Sequence, residues 1–225
     1  MTLLYLRPNV AHAVVSALFG VSADSSENAF HEVLPVLRDL FPKEKWEAEK
    51  RHRTQPQWTP DEVERLLMDS FETPVSRPRL HERQKRLYAG KKKRHTLQTQ
   101  IMTDPNGAIL DVSRAHRGPA ADVKLYEQTP LSKPLADKPR LGDKAYVGAT
   151  PGIKTPHKKP KGGALMEQQK ADNQQLSSQW VRVEHGIRRV QGFRITRDEY
   201  RLAVGFFSSV VSAVVGLLQF SSIVG

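Results

Sequence analysis

Leu141-Gly142-Asp143-Lys144-Ala145-Tyr146 reads as a short strand that delivers an acidic residue at its end, with a glycine before it and a lysine after it. One carboxylate at a strand end specifies no chemistry. It gains one only when other carboxylates can be brought beside it, so the partners available to Asp143 decide how the chain is read.

The chain has 225 residues, 38% of them hydrophobic, enough for one sizeable core with an appendage or for two small domains. Its 35 Lys and Arg outweigh 24 Asp and Glu, giving a formal charge of +11 and a pI near 9.9. An excess of this size points to a polyanion, nucleic acid before an anionic membrane surface, with an ordinary basic soluble protein as the bland alternative. The absence of cysteine excludes disulfides and thiolate metal sites and fits a reducing compartment. Met1 to Leu6 are apolar, but Arg7-Pro8 intervene before a signal-peptide core can form. The abrupt start suggests that an N-terminal piece is missing.

Asn9 can cap a helix running to Phe19, with Val10, Ala13, Val14, Ala17 and Leu18 on one face and Gly20 as its stop. Ser22 can cap a second helix carrying Phe30, Val33, Leu34 and Leu37. The pair, joined through Gly20-Val21-Ser22, resembles a helix-turn-helix. Ser25, Ser26, Asn28 and His31 would then face outward, towards base edges or phosphates. A plain helical hairpin competes, because residues 1–40 hold only Arg7 and Arg38 against Asp24, Glu27, Glu32 and Asp39. Residues 42–62 are polar, charged and aperiodic, a linker composition with Trp46 and Trp58 as aromatic anchors.

Val63 to Met68 is apolar on both parities at its end, as in a buried central strand, and delivers Asp69 at its edge. Pro74 and Pro78 rule out a helix beyond it. From Arg77 to His95 the chain carries Arg77, Arg79, Arg83, Lys85, Arg86, Lys91, Lys92, Lys93 and Arg94 against Glu82 alone. Cations fixed at a sheet edge are suited to following a phosphate backbone, whereas a solvated loop is the ordinary alternative. Asp104-Pro105-Asn106-Gly107 is a turn between two strands, Leu97–Met102 and Ala108–Val112. Pro119 opens a helix to about Gln128, and Asp122 in its first turn reads as a dipole partner. After the Asp143 stretch, Ile153 to His157 can form a short strand, and Lys158, Lys159 and Lys161 make a second basic loop.

Ala164 to about Val190 is helical in pattern, in two pieces, with Leu176, Trp180, Val183, Ile187 and Val190 as one stripe. Glu184 borders that stripe. An i,i+4 ion pair with Arg188 is its ordinary reading, worth a few tenths of a kcal/mol. Leu202 to Gly225 is uncharged and long enough to span a bilayer. Its six serine and glutamine positions and the face Val204, Phe207, Val211, Val214, Val215 and Leu218 favour a packed helix instead.

The order is therefore strand with Asp69, two further strands, helix, strand with Asp143, long helix with Glu184. It resembles the order of a ribonuclease H-like domain. Met68-Asp69-Ser70-Phe71-Glu72-Thr73-Pro74, Tyr88-Ala89-Gly90-Lys91-Lys92-Lys93-Arg94-His95-Thr96, Leu141-Gly142-Asp143-Lys144-Ala145-Tyr146, Thr155-Pro156-His157-Lys158-Lys159 and Val181-Arg182-Val183-Glu184-His185-Gly186-Ile187 together resemble the DDE-type transposases of bacterial insertion sequences, in the branch related to harbinger elements. Residues 2–40 resemble the helix-turn-helix that precedes the catalytic domain in that family. Phe71 stands where the family usually has Thr.

The resemblance implies an α/β fold: a helix-turn-helix unit over 1–41, a linker over 42–62 and a ribonuclease H-like catalytic domain over 63–225. It implies Asp69, Asp143 and Glu184 as catalytic carboxylates holding Mg²⁺, two ions with Mn²⁺ able to substitute, for strand cleavage and transfer. Asp122 stays outside that set, because a helix position matches the strand ligand poorly. Double-stranded DNA is the implied partner. Arg77, Arg86, Lys91, Lys92, Lys93, Arg94, Lys144, Lys158 and Lys159 are its candidate phosphate contacts, and Ser25 and Asn28 its candidate helix contacts. Homo-oligomers assembled on DNA, a cytoplasmic, nucleoid-associated location and no membrane follow. The alternatives are an inactive or truncated remnant that only binds DNA, and a membrane-attached basic protein.

Overall fold

A computed structural model describes residues 1–39, 63–90, 92–118, 121–128, 135–149 and 152–224. The expected linker over 42–62 and Lys91 lie outside the described residues.

Three helices open the chain, α1 (Thr2–Leu6), α2 (His12–Phe19) and α3 (Ala23–Asp39). Gly20 ends α2 in the left-handed region, at φ 66°. The Ser22 hydroxyl accepts from the Ser25 N–H at 3.0 Å, as a capping serine should. Asn9, in contrast, is not the cap of α2. That position is Ala11, and Asn9 turns away with φ 56°, its amide donating to the Glu199 carbonyl at 3.3 Å while Arg201 donates back to it at 3.2 Å. Ser26 does not face outward either. It is buried and bonded to His12 Nδ1 at 3.1 Å, where Tyr5 stacks on the His12 ring at 4.2 Å.

The sheet is mixed. β1 (Leu66–Pro74) is central, antiparallel to β3 (Arg94–Thr103) with Asp69 opposite Ile101 and parallel to β6 (Arg140–Gly142) with Met68 opposite Gly142. β3 pairs in turn with β2 (Tyr88–Ala89), β4 (Ile109–Val112) and β5 (His116–Arg117). The expected hairpin forms through Asp104, whose Oδ1 accepts from the Asn106 and Ala108 N–H groups at 2.9 and 2.8 Å. Gly107 sits at φ 88°, with the Arg182 carbonyl only 3.3 Å from where a Cβ would lie.

Several boundaries differ from the pattern. β1 runs on to Pro74, so Asp69 lies inside the strand and not at its end. The sequence after β1 also contains α4 (His81–Leu87), which lies beyond Pro78 and so escapes the proline block. α5 spans Asp122–Gln128. Of the expected strand at 153–157, only Lys154 bridges to Leu141. α6 (Glu167–Gln191) is one unbroken helix and not two pieces. No proline or glycine occurs between Glu167 and His185, and Gly186 lets the helix lie close to β3: a Cβ there would come within 3.2 Å of Thr103.

Alternation along β1 and β3 splits the core between two faces. Leu67, Phe71, Leu97 and Ile101 join Val183, Ile187 and Val190 of α6. Met68 and Met102 join Tyr126 and Tyr146 on the opposite side. A short turn α7 (Arg194–Arg197) leads to α8 (Phe207–Val224), whose Phe207, Val211, Val214 and Val215 are buried as the helix face required. α8 packs against α3, and Tyr5, Leu6, Phe30 and Leu34 share its core. Among the described residues, no helix is long and apolar enough to cross a membrane.

Candidate active site

β6 stops at Gly142, opposite Met68, while β1 runs on beside β3 until the Tyr200 N–H reaches the Pro74 carbonyl at 2.8 Å. Between those two points one edge of β1 is open. A cleft of about 590 Å³ occupies the gap, lined by Asp69, Glu72, Asp122, Asp143 and Glu184 together with Lys92 and Arg188.

Asp69 shares its strand face with Leu67 and Phe71, so its carboxylate is carried towards the apolar layer under α6. Burial raises its pKa to about 7 against the pull of the Ser70 N–H, which donates to it at 2.7 Å; the charges of Asp143, Asp122 and Glu184 push in the same direction as burial. A cation among these acids would relieve that repulsion.

Asp143 follows the last residue of β6. Its Oδ1 accepts from the Ala145 N–H at 2.8 Å, capping the single turn Lys144–Tyr146. The turn is anchored from below by Tyr146, fully buried and accepting from Gln100 Nε2 at 2.8 Å; burial pushes its phenol above the ordinary range. Gly142 is required by close approach, since a Cβ would meet Ile153 at 2.8 Å and the Tyr146 ring at 2.9 Å. Glu184 stands on α6 across the cleft, with 47% of its side chain exposed and Arg188 3.4 Å away. The ordinary i,i+4 pair is thus present in the same place as the proposed ligand.

Asp122, kept out of the set on sequence grounds, lines the same cleft from the other face of the sheet. Its Oδ1 accepts from Ser70 Oγ at 2.5 Å and from Gln98 Nε2 at 2.8 Å, and Gln98 also donates to Ser70 Oγ at 3.0 Å. A readable signal existed: Ser70 and Gln98 are polar residues on the alternating face of two buried strands, and such groups need a polar partner.

The basic candidates are spread more widely. Lys92 reaches the cleft, its Nζ 3.9 Å from Glu72. Arg77, Arg86, Lys93 and Arg94 are exposed around α4 and the β2–β3 turn. Lys144 is exposed beside Asp143. Lys158 and Lys159 are exposed in a loop that Asn173 ties to α6 through two bonds with His157. Ser25 and Asn28 are exposed on α3.

Carboxylate oxygens are the donors that a hard divalent ion takes, so the donor set suits one. Among the described residues, no three acidic or histidine side chains are gathered to hold an ion as they stand.

The sequence pattern of the DDE superfamily endonucleases matches residues 68–219. The chain belongs to the DDE superfamily endonucleases. A second pattern, the helix-turn-helix of DDE superfamily endonucleases, matches residues 1–43. The chain is also 32% identical over 145 residues to a protein of Microchaete diplosiphon described as a probable transposase for insertion sequence element IS702. That match covers 63% of this chain and 51% of the relative, so the chain spans about half the relative's length. No solved structure matches. In this DDE superfamily chain the five cleft acids Asp69, Glu72, Asp122, Asp143 and Glu184 all fall within the matched segment.

Proposed function

We propose that this chain is a DNA transposase: a metal-dependent endonuclease that cuts at insertion-sequence ends and transfers the freed 3′-hydroxyl strand into target DNA. The observation that carries the reading is that Asp69, Asp143 and Glu184, from two adjacent strands and a facing helix, line one cleft. The mixed sheet with β1 at its centre supports a ribonuclease H-like catalytic domain over 63–225, preceded by a helix-turn-helix unit over 1–41.

In this reading Asp69, Asp143 and Glu184 hold divalent metal, two Mg²⁺ ions or Mn²⁺. When bound, such ions would supply activation of the attacking oxygen and stabilisation of the leaving one. The protein's own groups do the rest. Ser70 and Gln98 fix the Asp122 carboxylate in the cleft wall. Lys92 and Arg188, the cations of the cleft, hold the phosphate that is to be cut. Arg77, Arg86, Lys93, Arg94, Lys144, Lys158 and Lys159 carry the flanking phosphates, and Ser25 and Asn28 present α3 to the duplex. The chain works in the cytoplasm, nucleoid-associated, as a homo-oligomer assembled on DNA.

A second reading, a remnant that binds DNA without cutting it, draws support from the Glu184–Arg188 pair, which occupies the carboxylate with a cation. Nicking of a supercoiled plasmid carrying the element ends separates the two. The transposase nicks it with Mg²⁺ or Mn²⁺, and Asp143→Asn loses nicking by at least about 10³-fold while still binding. Full nicking by Asp143→Asn sinks the first reading; salt-sensitive binding with no nicking by the natural chain favours the second.

A further inference from the structure

A second concavity lies beside the acidic cleft, and no carboxylate lines it. Its volume is about 630 Å³, and its walls are Arg77, His81, Gln84, Lys85, Tyr88, Lys93 and His95. α4, the two-residue strand β2 and the start of β3 bring these side chains together. Three cations therefore face one recess with no opposing charge in its wall.

Tyr88 gives that recess a specific chemistry. The residue is 45% exposed although it stands on a paired strand, and its ring meets the His95 ring edge-on at 5.6 Å with an interplanar angle of 66°. One ring is thus steadied at its edge by another. The rim is also organised: Arg77 donates to Gln84 Oε1 at 3.1 Å, and Gln84 donates to the Pro78 carbonyl at 2.7 Å. Lys93 occupies the left-handed region at φ 51°, an uncommon position for a residue with a side chain.

We propose that this recess seats one unpaired nucleotide of the DNA strand engaged by the acidic cleft, its base stacked on Tyr88 and its phosphate held by Arg77, Lys85 and Lys93. The proposal rests on the transposase reading and adds a ligand class to it. Bases inside a duplex are covered on both faces by their neighbours, so an aromatic side chain reaches a base face only at an end, an overhang or an extruded position. Backbone cations beside an aromatic platform are the general means of holding such a base whatever its sequence. The volume lies in the range of small-molecule sites and far below that of a groove enclosing a duplex.

The two concavities are neighbours. Lys92 lines the acidic cleft and Lys93, the next residue, lines this recess. Along β3, His95 and Thr99 lie on one face four residues apart, about 13 Å, or roughly four nucleotide steps of a stacked strand, and Thr99 is opposite Phe71 of the cleft. A strand lying over the β2–β3 turn would present a phosphate to the acids and, a few nucleotides away, a base to Tyr88.

The test uses the full chain without divalent ions and two synthetic DNAs, one blunt duplex and the same duplex with a three-nucleotide overhang containing 2-aminopurine. The natural chain should bind the overhang form more tightly and quench the 2-aminopurine. Tyr88→Ala should weaken overhang binding about tenfold, leave blunt-duplex affinity within about twofold and abolish the quench, with Tyr88→Phe behaving as the natural chain. Equal binding of the two DNAs by the natural chain, or Tyr88→Ala with quench and affinities unchanged, overturns the recess and leaves the transposase reading standing. Binding of neither DNA overturns both. A Tyr88→Ala chain whose thermal unfolding matches the natural one removes misfolding as the cause of any loss.

Discussion

Asp69 and Asp143 occupy equivalent positions on two adjacent parallel strands: each is the residue immediately after the last ladder pair, Met68 with Gly142. Termination of β6 at that pair opens the edge of β1 and delivers both carboxylates to the opening. The position of the cleft is thus set by backbone pairing before any side chain is chosen.

The charge state of Asp69 should be visible in stability. Its pKa is about 7 in the fold against roughly 3.9 when unfolded. Between pH 4 and 7 the folded chain therefore holds a proton that the unfolded chain has lost, and unfolding free energy falls as pH rises through this window, then levels off. The limiting size is about 4 kcal/mol. Urea unfolding at pH 5 and pH 8 should give a larger difference for the natural chain than for Asp69→Asn, and Mg²⁺ should recover stability at pH 8. Equal differences in the two proteins would remove Asp69 as the source.

Asp122 is expected to matter although it stands outside the expected ligand set. Asp122→Ala leaves Ser70 Oγ–H and one Gln98 amide donor without their common acceptor, at a cost of about 1–3 kcal/mol. Asp122→Asn keeps an acceptor and removes a charge that raises Asp69, so the pH window of the preceding test should end at a lower pH. Paired urea titrations of the two variants check both effects.

Gly142→Ala should be poorly tolerated. The added methyl lies 2.8–2.9 Å from Ile153 and the Tyr146 ring, and Tyr146 is fully buried and bonded to Gln100. Overpacking of this kind costs about 1–3 kcal/mol, a fall of roughly 2–12 °C in Tm for a chain of this size. The displaced turn carries Asp143, so nicking should decline further than stability alone accounts for. Differential scanning calorimetry beside a nicking assay at a temperature where both proteins are folded checks this.

Arg188→Ala should separate the two readings of Glu184. The exposed i,i+4 pair contributes less than about 0.5 kcal/mol, so Tm should hardly change. Freed of its cation, Glu184 should bind Mn²⁺ several-fold more tightly in calorimetric titration. Unchanged Mn²⁺ affinity would leave Glu184 as the partner of Arg188 alone.

Much of this arrangement was legible in residue order. Alternation and turn chemistry gave β3, the Asp104–Gly107 turn and β4, and the 3.6-residue stripe gave α6 with Glu184 on its border. Three features were not legible, each for a physical reason. The length of β1 depends on pairing with β3, which holds polar Ser70, Glu72 and Thr73 in a strand that hydropathy alone ends at Met68. Asn9 has the chemistry of a cap but is claimed by Arg201 and Glu199, some 190 residues away, a competition no local pattern records. Asp122 in a first turn has a sufficient local explanation in the helix dipole, and only the approach of Ser70 and Gln98 from separate strands gives it another.

Phe207→Ala should uncouple regions distant in sequence. Phe207 is fully buried, packs on Tyr200 at 4.8 Å, and belongs to the core that holds Phe30 and Leu34. The loss should be about 3–5 kcal/mol. Hydrogen exchange should quicken along α3 as well as along α8, and quickening confined to α8 would count against a common core.

That shared core also imposes a timetable on synthesis. The apolar face of α3, with Phe30 and Leu34, is covered by α8, and His31 meets Phe206 at 5.0 Å. About 170 residues separate Leu34 from Phe207. At roughly 5–20 residues per second a ribosome needs about 10–35 s to cross that interval. Through all of it the first helices exist without their lid, open to chaperones and to misassociation with other nascent chains. Their final form belongs to the finished polypeptide.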